Sequence, residues 1–217
     1  MRNKHAWIAE LSNGTKLFGE SAMLALKRQI SLALLVLALI AGFSATSSEA
    51  ANDETVLRAM TQGGHVAIMR HALAPGYGDP DNFRLDDCAT QRNLSDAGRT
   101  QAKRIGEAFR NQGIGAAKVY TSQWCRCRET AQHLNLGAVQ DLPILNSFFQ
   151  ERGDGSAQTA ALRDWLGTQD LSRPTILVTH QVNITSLTGV FPGSGEVLIL
   201  RIAKDGTFDV VGNFETP

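Results

Sequence analysis

From Asn52 to the C-terminus, short apolar runs alternate with segments of helical period, and this alternation restricts the chain to folds in which helices cover a mainly parallel sheet. The run 66–69 (Val-Ala-Ile-Met) is short, apolar and unbroken, the pattern of a strand buried on both faces. Residues 119–121 and 175–179 repeat it, the latter opened by Pro174. Between them lie helical segments. Ser95 is placed to cap the first, with Asp96 in the opening turn, Ala102, Ile105 and Phe109 on one face, and Gly113 at the end. A second is expected over 126–133 and a third over 159–166, where Ala161, Leu162, Trp165 and Leu166 share a side. Near the C-terminus, 197–202 and 208–211 flank Asp205-Gly206, a hairpin signal. The expected fold is α/β, a three-layer sandwich with a mainly parallel central sheet flanked by helices and an antiparallel C-terminal hairpin.

Residues 72–93 interrupt this rhythm. They hold Pro75, Gly76, Gly78, Pro80 and several aspartates, so they read as a long loop. Loops of that length inside a compact domain are usually functional. Tyr77, Arg84 and Arg92 are its candidates for covering a site and selecting part of a ligand.

The N-terminus follows another logic. Lys27 and Arg28 precede an apolar run over 30–43, and small residues lead to Ser48-Glu49-Ala50. A basic region, a short apolar core and a small-x-small end form a secretory signal, with cleavage expected after Ala50. The run is short for a membrane span of roughly 20 residues, although an uncleaved anchor is the alternative. Met23 stands just ahead of the signal as a candidate start. The expected organisation is therefore 1–50, an N-terminal extension plus signal peptide, and 51–217, a single catalytic domain, in the periplasm or secreted. With 21 basic and 21 acidic residues, the chain lacks the charge excess that nucleic-acid or anionic-membrane binding requires. In an exported chain, the three cysteines predict one disulfide and one free thiol. Cys125 and Cys127 lie two apart at a helix start and point to different sides, so Cys88 is expected to pair with one of them. The C-x-C spacing does not suit zinc.

Three polar groups each follow a predicted strand: Arg70-His71, then Ser122 with Arg126, then His180. Ligands of open α/β sheets bind beyond the carboxyl ends of the strands, so parallel strands would bring all three together. Guanidinium groups match phosphate oxygens bidentately, and neutral imidazole is a competent nucleophile near neutral pH. Arg70 and Arg126 would disfavour an imidazolium beside them and keep His71 available for attack. His180 would donate to a non-bridging oxygen. Trp124 fits the core or the pocket wall. Taken singly, each residue has an ordinary structural explanation; their coincidence at three strand ends is what points to phosphoryl chemistry.

On these residues the chain resembles the histidine phosphatase superfamily, the phosphoglycerate mutase-like group. Arg70-His71-Ala72 stands where the family has Arg-His-Gly; Ser122, Arg126 and Thr130-Ala131 follow its second block. Leu94-Ser95, Gly98 and Gln101-Ala102 match its helix entry, and 177–180 match its late strand ending in histidine. The resemblance implies a phosphohistidine on His71, with Arg70, Arg126 and His180 holding the transferring group, and neither metal nor other cofactor. Two departures stand out. Ala72 replaces glycine, which is tolerable where φ is negative. The family's acid, a glutamate soon after the second block, has no counterpart before Glu151, the candidate here, with Asp154 second. Ser122 and Asn183 are candidate substrate contacts. The implied activity is an exported phosphomonoesterase acting on a small-molecule or surface-glycan phosphate. The alternatives are a mutase-like phosphotransferase and a non-catalytic phosphate-binding module.

Overall fold

The computed structural model describes residues 55–151 and 153–215. The expected signal segment and the side chain of Glu151 lie outside the described residues. Six strands form one sheet: β1 (His65–Arg70), β2 (Lys118–Thr121), β3 (Val139–Asp141), β4 (Thr175–Thr179), β5 (Val197–Ile202) and β6 (Phe208–Phe214). Their order is β3-β2-β4-β1-β5-β6. The first four positions are mutually parallel, whereas β5 runs antiparallel to β1 and β6 antiparallel to β5. The sheet is thus mainly parallel with an antiparallel hairpin at one edge, as the alternation and the Asp-Gly turn require. Gly206 takes φ 80°, a turn conformation that glycine adopts without strain.

Alternate residues of each central strand face opposite layers. Ala67 and Met69 join Val119, Ile176, Val178 and Ile199 under one pair of helices. Those helices are α1 (Asp96–Asn111), with Ile105 and Phe109, and α2 (Cys125–Leu134), with Ala131 and Leu134. Val66, Ile68, Leu177 and Leu198 face the other way, towards α3 (Gly155–Thr168) and α4 (Gln181–Thr188). Every residue of β4 is buried, which explains an apolar run with no polar alternation. Among the described residues, no helix is long and apolar enough to cross a membrane.

Local chemistry sets the helix starts. The Ser95 side chain accepts from the Gly98 amide at 3.1 Å, as its placement suggested. Asp154 accepts from the amides of Ser156 and Ala157, both at 3.0 Å, so α3 starts four residues earlier than its apolar face implied. Two elements escaped the pattern. β3 is only three residues at the sheet edge and mostly exposed, and α4 offers too short an apolar face to register as a period.

The chain after β1 is fixed by close packing at Gly98. The Leu73 carbonyl accepts from the Ser95 amide at 3.1 Å, and a Cβ on Gly98 would stand 2.1 Å from that oxygen. Neither partner is a flexible side-chain end, so the approach requires glycine. Gly98→Ala is therefore expected to destabilise the protein by about 1–3 kcal/mol, read as a lowered midpoint in denaturant titration; an unchanged midpoint would contradict this packing.

Candidate active site

The register of the sheet brings the three sequence-predicted groups together. Arg70 lies opposite Thr179, and Thr121 opposite Val178, so the carboxyl ends of β1, β4 and β2 are level and adjacent. His71, Ser122 and His180 are the next residues on each strand. Arg70, His71, Arg126 and His180 line one cavity of about 450 Å3, joined by Arg92.

His71 is buried and oriented by its own backbone. Its Nδ1 lies 2.8 Å from the Ala72 carbonyl oxygen. A carbonyl can only accept, so Nδ1 carries the proton and Nε2 keeps its lone pair. The next amide, Ala72 N–H, donates to Thr130 Oγ1 at 3.0 Å, and Thr130 in turn donates to the Arg126 carbonyl at 2.7 Å. That chain of bonds ties the residue after the histidine to α2. Ala72 is not among the residues with positive φ, so its methyl group is accommodated. Burial, then the charges of Arg126, Arg92 and Arg70, push the His71 imidazole well below its ordinary pKa against the opposing Ala72 bond.

His180 precedes the first turn of α4, its ring centroid 5.7 Å from that of His71. Arg126 Nη2, which can only donate, lies 3.4 Å from His180 Nδ1. Nδ1 is therefore the acceptor and Nε2 carries the proton, given to Ser122 Oγ at 2.8 Å. Ser122 passes its own proton to Asn146 Oδ1 at 3.2 Å. Asn146 also accepts from the Gln123 amide at 2.8 Å, and its carbonyl accepts from Asn183 Nδ2 at 2.9 Å. Burial and then Arg126 hold His180 well below the ordinary imidazole pKa. Ser122 and Asn183, expected at the substrate, do not line the cavity; they orient His180 and the segment carrying Asn146.

Arg126 is gripped from behind by a residue that the sequence did not single out. Asp79, from the 72–93 loop, takes a bidentate contact from Arg126, at 2.7 Å and 3.2 Å, with both side chains only 4% exposed. The same carboxylate accepts from Trp124 Nε1 at 3.0 Å and from the Arg92 amide at 3.1 Å. Burial raises the Asp79 pKa, but the bond and charge of Arg126, with the Trp124 and Arg92 bonds, outweigh it and leave the carboxyl below its ordinary value. The loop is stapled next to this pair by a disulfide between Cys88 and Cys125. Arg92 donates to the carbonyls of Gly78 and Ala74. Burial first, then the Arg126 charge, lowers its pKa to about 10, so it stays cationic at neutral pH. Arg84 pairs with Asp87 and does not line the cavity. Trp124 lies in the core and does not line the cavity; it is stacked on Phe83 and edge-on to His180.

Among the described residues, two buried guanidinium N–H groups have no partner: Nε of Arg70 and Nε of Arg126, both on cavity-lining side chains. Buried donors are normally paired. Three guanidiniums against the Asp79 carboxylate, with both imidazoles neutral, leave the site with two positive charges, the complement of a phosphate monoester dianion.

A family model described as histidine phosphatase superfamily (branch 1) matches residues 66–161. Over these residues the chain is similar to the histidine phosphatase superfamily. The fold is similar to that of the protein histidine phosphatase SixA, solved with tungstate, at 18% identity over 70% of this chain and 96% of that one, with a TM-score of 0.52. It is similar also to YhfR of Bacillus stearothermophilus, at 18% identity over 68% and 95% of the two chains, TM-score 0.52. Rv3214 of Mycobacterium tuberculosis aligns at 15% identity over 68% and 95%, TM-score 0.51. At such identities the likeness is one of fold. No curated protein matches the chain.

A two-histidine site next to two cysteines raises the question of a thiolate nucleophile. Cys125 is consumed in the disulfide, and burial pushes the Cys127 thiol up to about 12. Neither supplies a thiolate near neutral pH. The free enzyme is therefore expected to hold His71 neutral at pH 6, where an ordinary imidazole with a pKa of about 6.5 is mostly protonated. Side-chain nitrogen NMR should show an Nδ1-protonated neutral ring there; an imidazolium signal would refute the electrostatics.

Proposed function

We propose that the chain is an exported phosphomonoesterase that hydrolyses a small phosphate ester through a phosphohistidine on His71. One observation carries the reading: an imidazole whose Nε2 keeps its lone pair shares a cavity with three arginine side chains, Arg70, Arg92 and Arg126. That arrangement suits a tetrahedral anion under attack from nitrogen.

In the proposed reaction His71 Nε2 attacks phosphorus, the nitrogen–phosphorus bond forms, and the bond to the leaving oxygen breaks. Arg70 and Arg126 donate to the non-bridging oxygens, with Asp79 holding the Arg126 fork from behind. A bound dianion also opposes the depression of the His180 pKa. His180 then takes a proton from solvent on Nδ1, releasing the Arg126 N–H to the phosphoryl group, and donates towards a phosphoryl oxygen while Nε2 stays on Ser122. The leaving oxygen takes a proton from an acid. Water next attacks phosphorus, gives its proton back to that group, and the nitrogen–phosphorus bond breaks to release phosphate.

Glu151 is the proposed acid. It ends the turn Phe149–Glu151, whose Phe149 lines the cavity, and the same segment is docked on the loop by Gln150, which accepts from the Asp79 amide at 3.3 Å. Asp154 is withdrawn from that role: its carboxylate caps α3, and those bonds lower its pKa, the reverse of what an acid requires. Export is supported by the signal pattern over 27–50 and by the Cys88–Cys125 disulfide, which persists in oxidising compartments.

A panel of phosphate esters assayed for phosphate release tests the reading. His71→Ala is expected to lower kcat/KM by about a thousandfold or more; activity equal to the parent would remove His71 as nucleophile. Glu151→Gln should impair alkyl esters more than aryl esters, whose leaving groups need no proton, and equal losses would remove Glu151 as the acid. For export, mass spectrometry of the mature protein is expected to place its first residue at Ala51.

A further inference from the structure

A phosphate group fills only part of a cavity of about 450 Å3, a volume in the range that holds whole small ligands. The remainder must accommodate the group to which the phosphate is attached. Beyond the arginines and histidines, its lining contains Tyr77, Phe148, Phe149 and Phe191. Tyr77 and Phe191 are 85% and 77% exposed, the most exposed large apolar side chains among the described residues. Both belong to this one cavity although they come from loops far apart in sequence. A single exposed aromatic is ordinary, but two that line one anion site offer apolar surface for a ligand to cover.

The Tyr77 ring is presented by its backbone. Gly76 and Gly78 flank it with φ of 97° and 65°, conformations that favour glycine. A Cβ on Gly78 would stand 2.9 Å from Gln150 Nε2, so the turn is packed closely against the segment that carries Phe149. The Tyr77 and Phe149 rings meet edge to face with centroids 5.1 Å apart. The serine and threonine hydroxyl oxygens in the lining each already bond a protein group. Thr185 donates to the Val190 carbonyl, Ser186 bonds Thr159, and Ser147 accepts from the Phe149 amide. Beyond the cations and imidazoles, the polar groups left in the lining are chiefly the Gln181 side chain and the Tyr77 hydroxyl, whereas four aromatic rings contribute to it.

We propose that the physiological ester carries a planar aromatic ring next to its phosphate, held against Tyr77 and Phe191 at the rim. This deepens the phosphatase reading, on which it rests for the position of the phosphate. It disfavours the surface-glycan alternative.

Non-hydrolysable phosphonates separate the two ideas, because their binding does not depend on turnover. Calorimetry on the intact protein is expected to show benzylphosphonate binding at least about tenfold more tightly than ethylphosphonate or a sugar phosphonate, as stacking on aromatic side chains implies. Tyr77→Ala and Phe191→Ala should each reduce that ratio severalfold; Tyr77 and Phe191 are exposed, so folding is not at risk. Equal affinities, a preference for the sugar compound, a ratio that survives both substitutions, or no phosphonate binding at all would overturn the proposal. A ring preference without phosphate release from any ester would instead leave the ring site standing and refute hydrolysis.

Discussion

The carboxyl end of the sheet is organised around one buried guanidinium. Arg126 is 4% exposed, and a charge removed from water to that extent must be paired, because an isolated one costs several kcal/mol. Asp79 supplies the pairing from the 72–93 loop, and its remaining acceptor capacity is taken by Trp124 and the Arg92 amide. One ion pair thereby fixes the loop, the start of α2 and the Trp124 ring beside His180. It also leaves Arg126 Nε buried and without a hydrogen-bond partner.

This arrangement explains how three arginines coexist with two neutral histidines. Their charges and the burial of the rings act in the same direction on both imidazoles, and each ring has one nitrogen whose proton is committed to the protein: Nδ1 of His71 to Ala72, Nε2 of His180 to Ser122. The opposite tautomers follow from opposite neighbours. A carbonyl selects the protonated nitrogen of His71, and a guanidinium selects the unprotonated nitrogen of His180. The two rings, similar in burial, thereby keep their lone pairs on different nitrogens, Nε2 of His71 and Nδ1 of His180.

Much of the fold was legible because its buried strands are short, unbroken and apolar. β4 was bounded as the structure has it, and β1 differs by one residue at each end. The meeting of His71, Arg126 and His180 was legible for the same reason: once strands are parallel, residues at their carboxyl ends share an edge. Asp79 was not. In sequence it is one of several loop aspartates, and nothing local distinguishes a carboxylate that will be buried against an arginine 47 positions later. Ser122 and Asn183 are the complementary case. Their residue types suited a substrate, but proximity to a site does not decide whether a polar group faces the ligand or braces a residue that does. The neighbourhood of Asn146, which both of them reach, became visible only with the coordinates.

The disulfide gives the loop its permanence. A loop rich in glycine and proline has much conformational freedom to lose, and the ion pair alone would have to offset that loss. Cys88 and Cys125 close a segment with a sequence separation of 37, which in the chain-entropy model stabilises the folded state by about 4 kcal/mol. Because Cys125 is the residue before Arg126, the cross-link anchors the loop beside the charge that Asp79 must meet. The glycines around Tyr77 are then free to serve presentation of the ring. The order of dependence runs from covalent tie to ion pair to cavity rim, so a change at the tie would be felt at Arg126 before it reached either histidine.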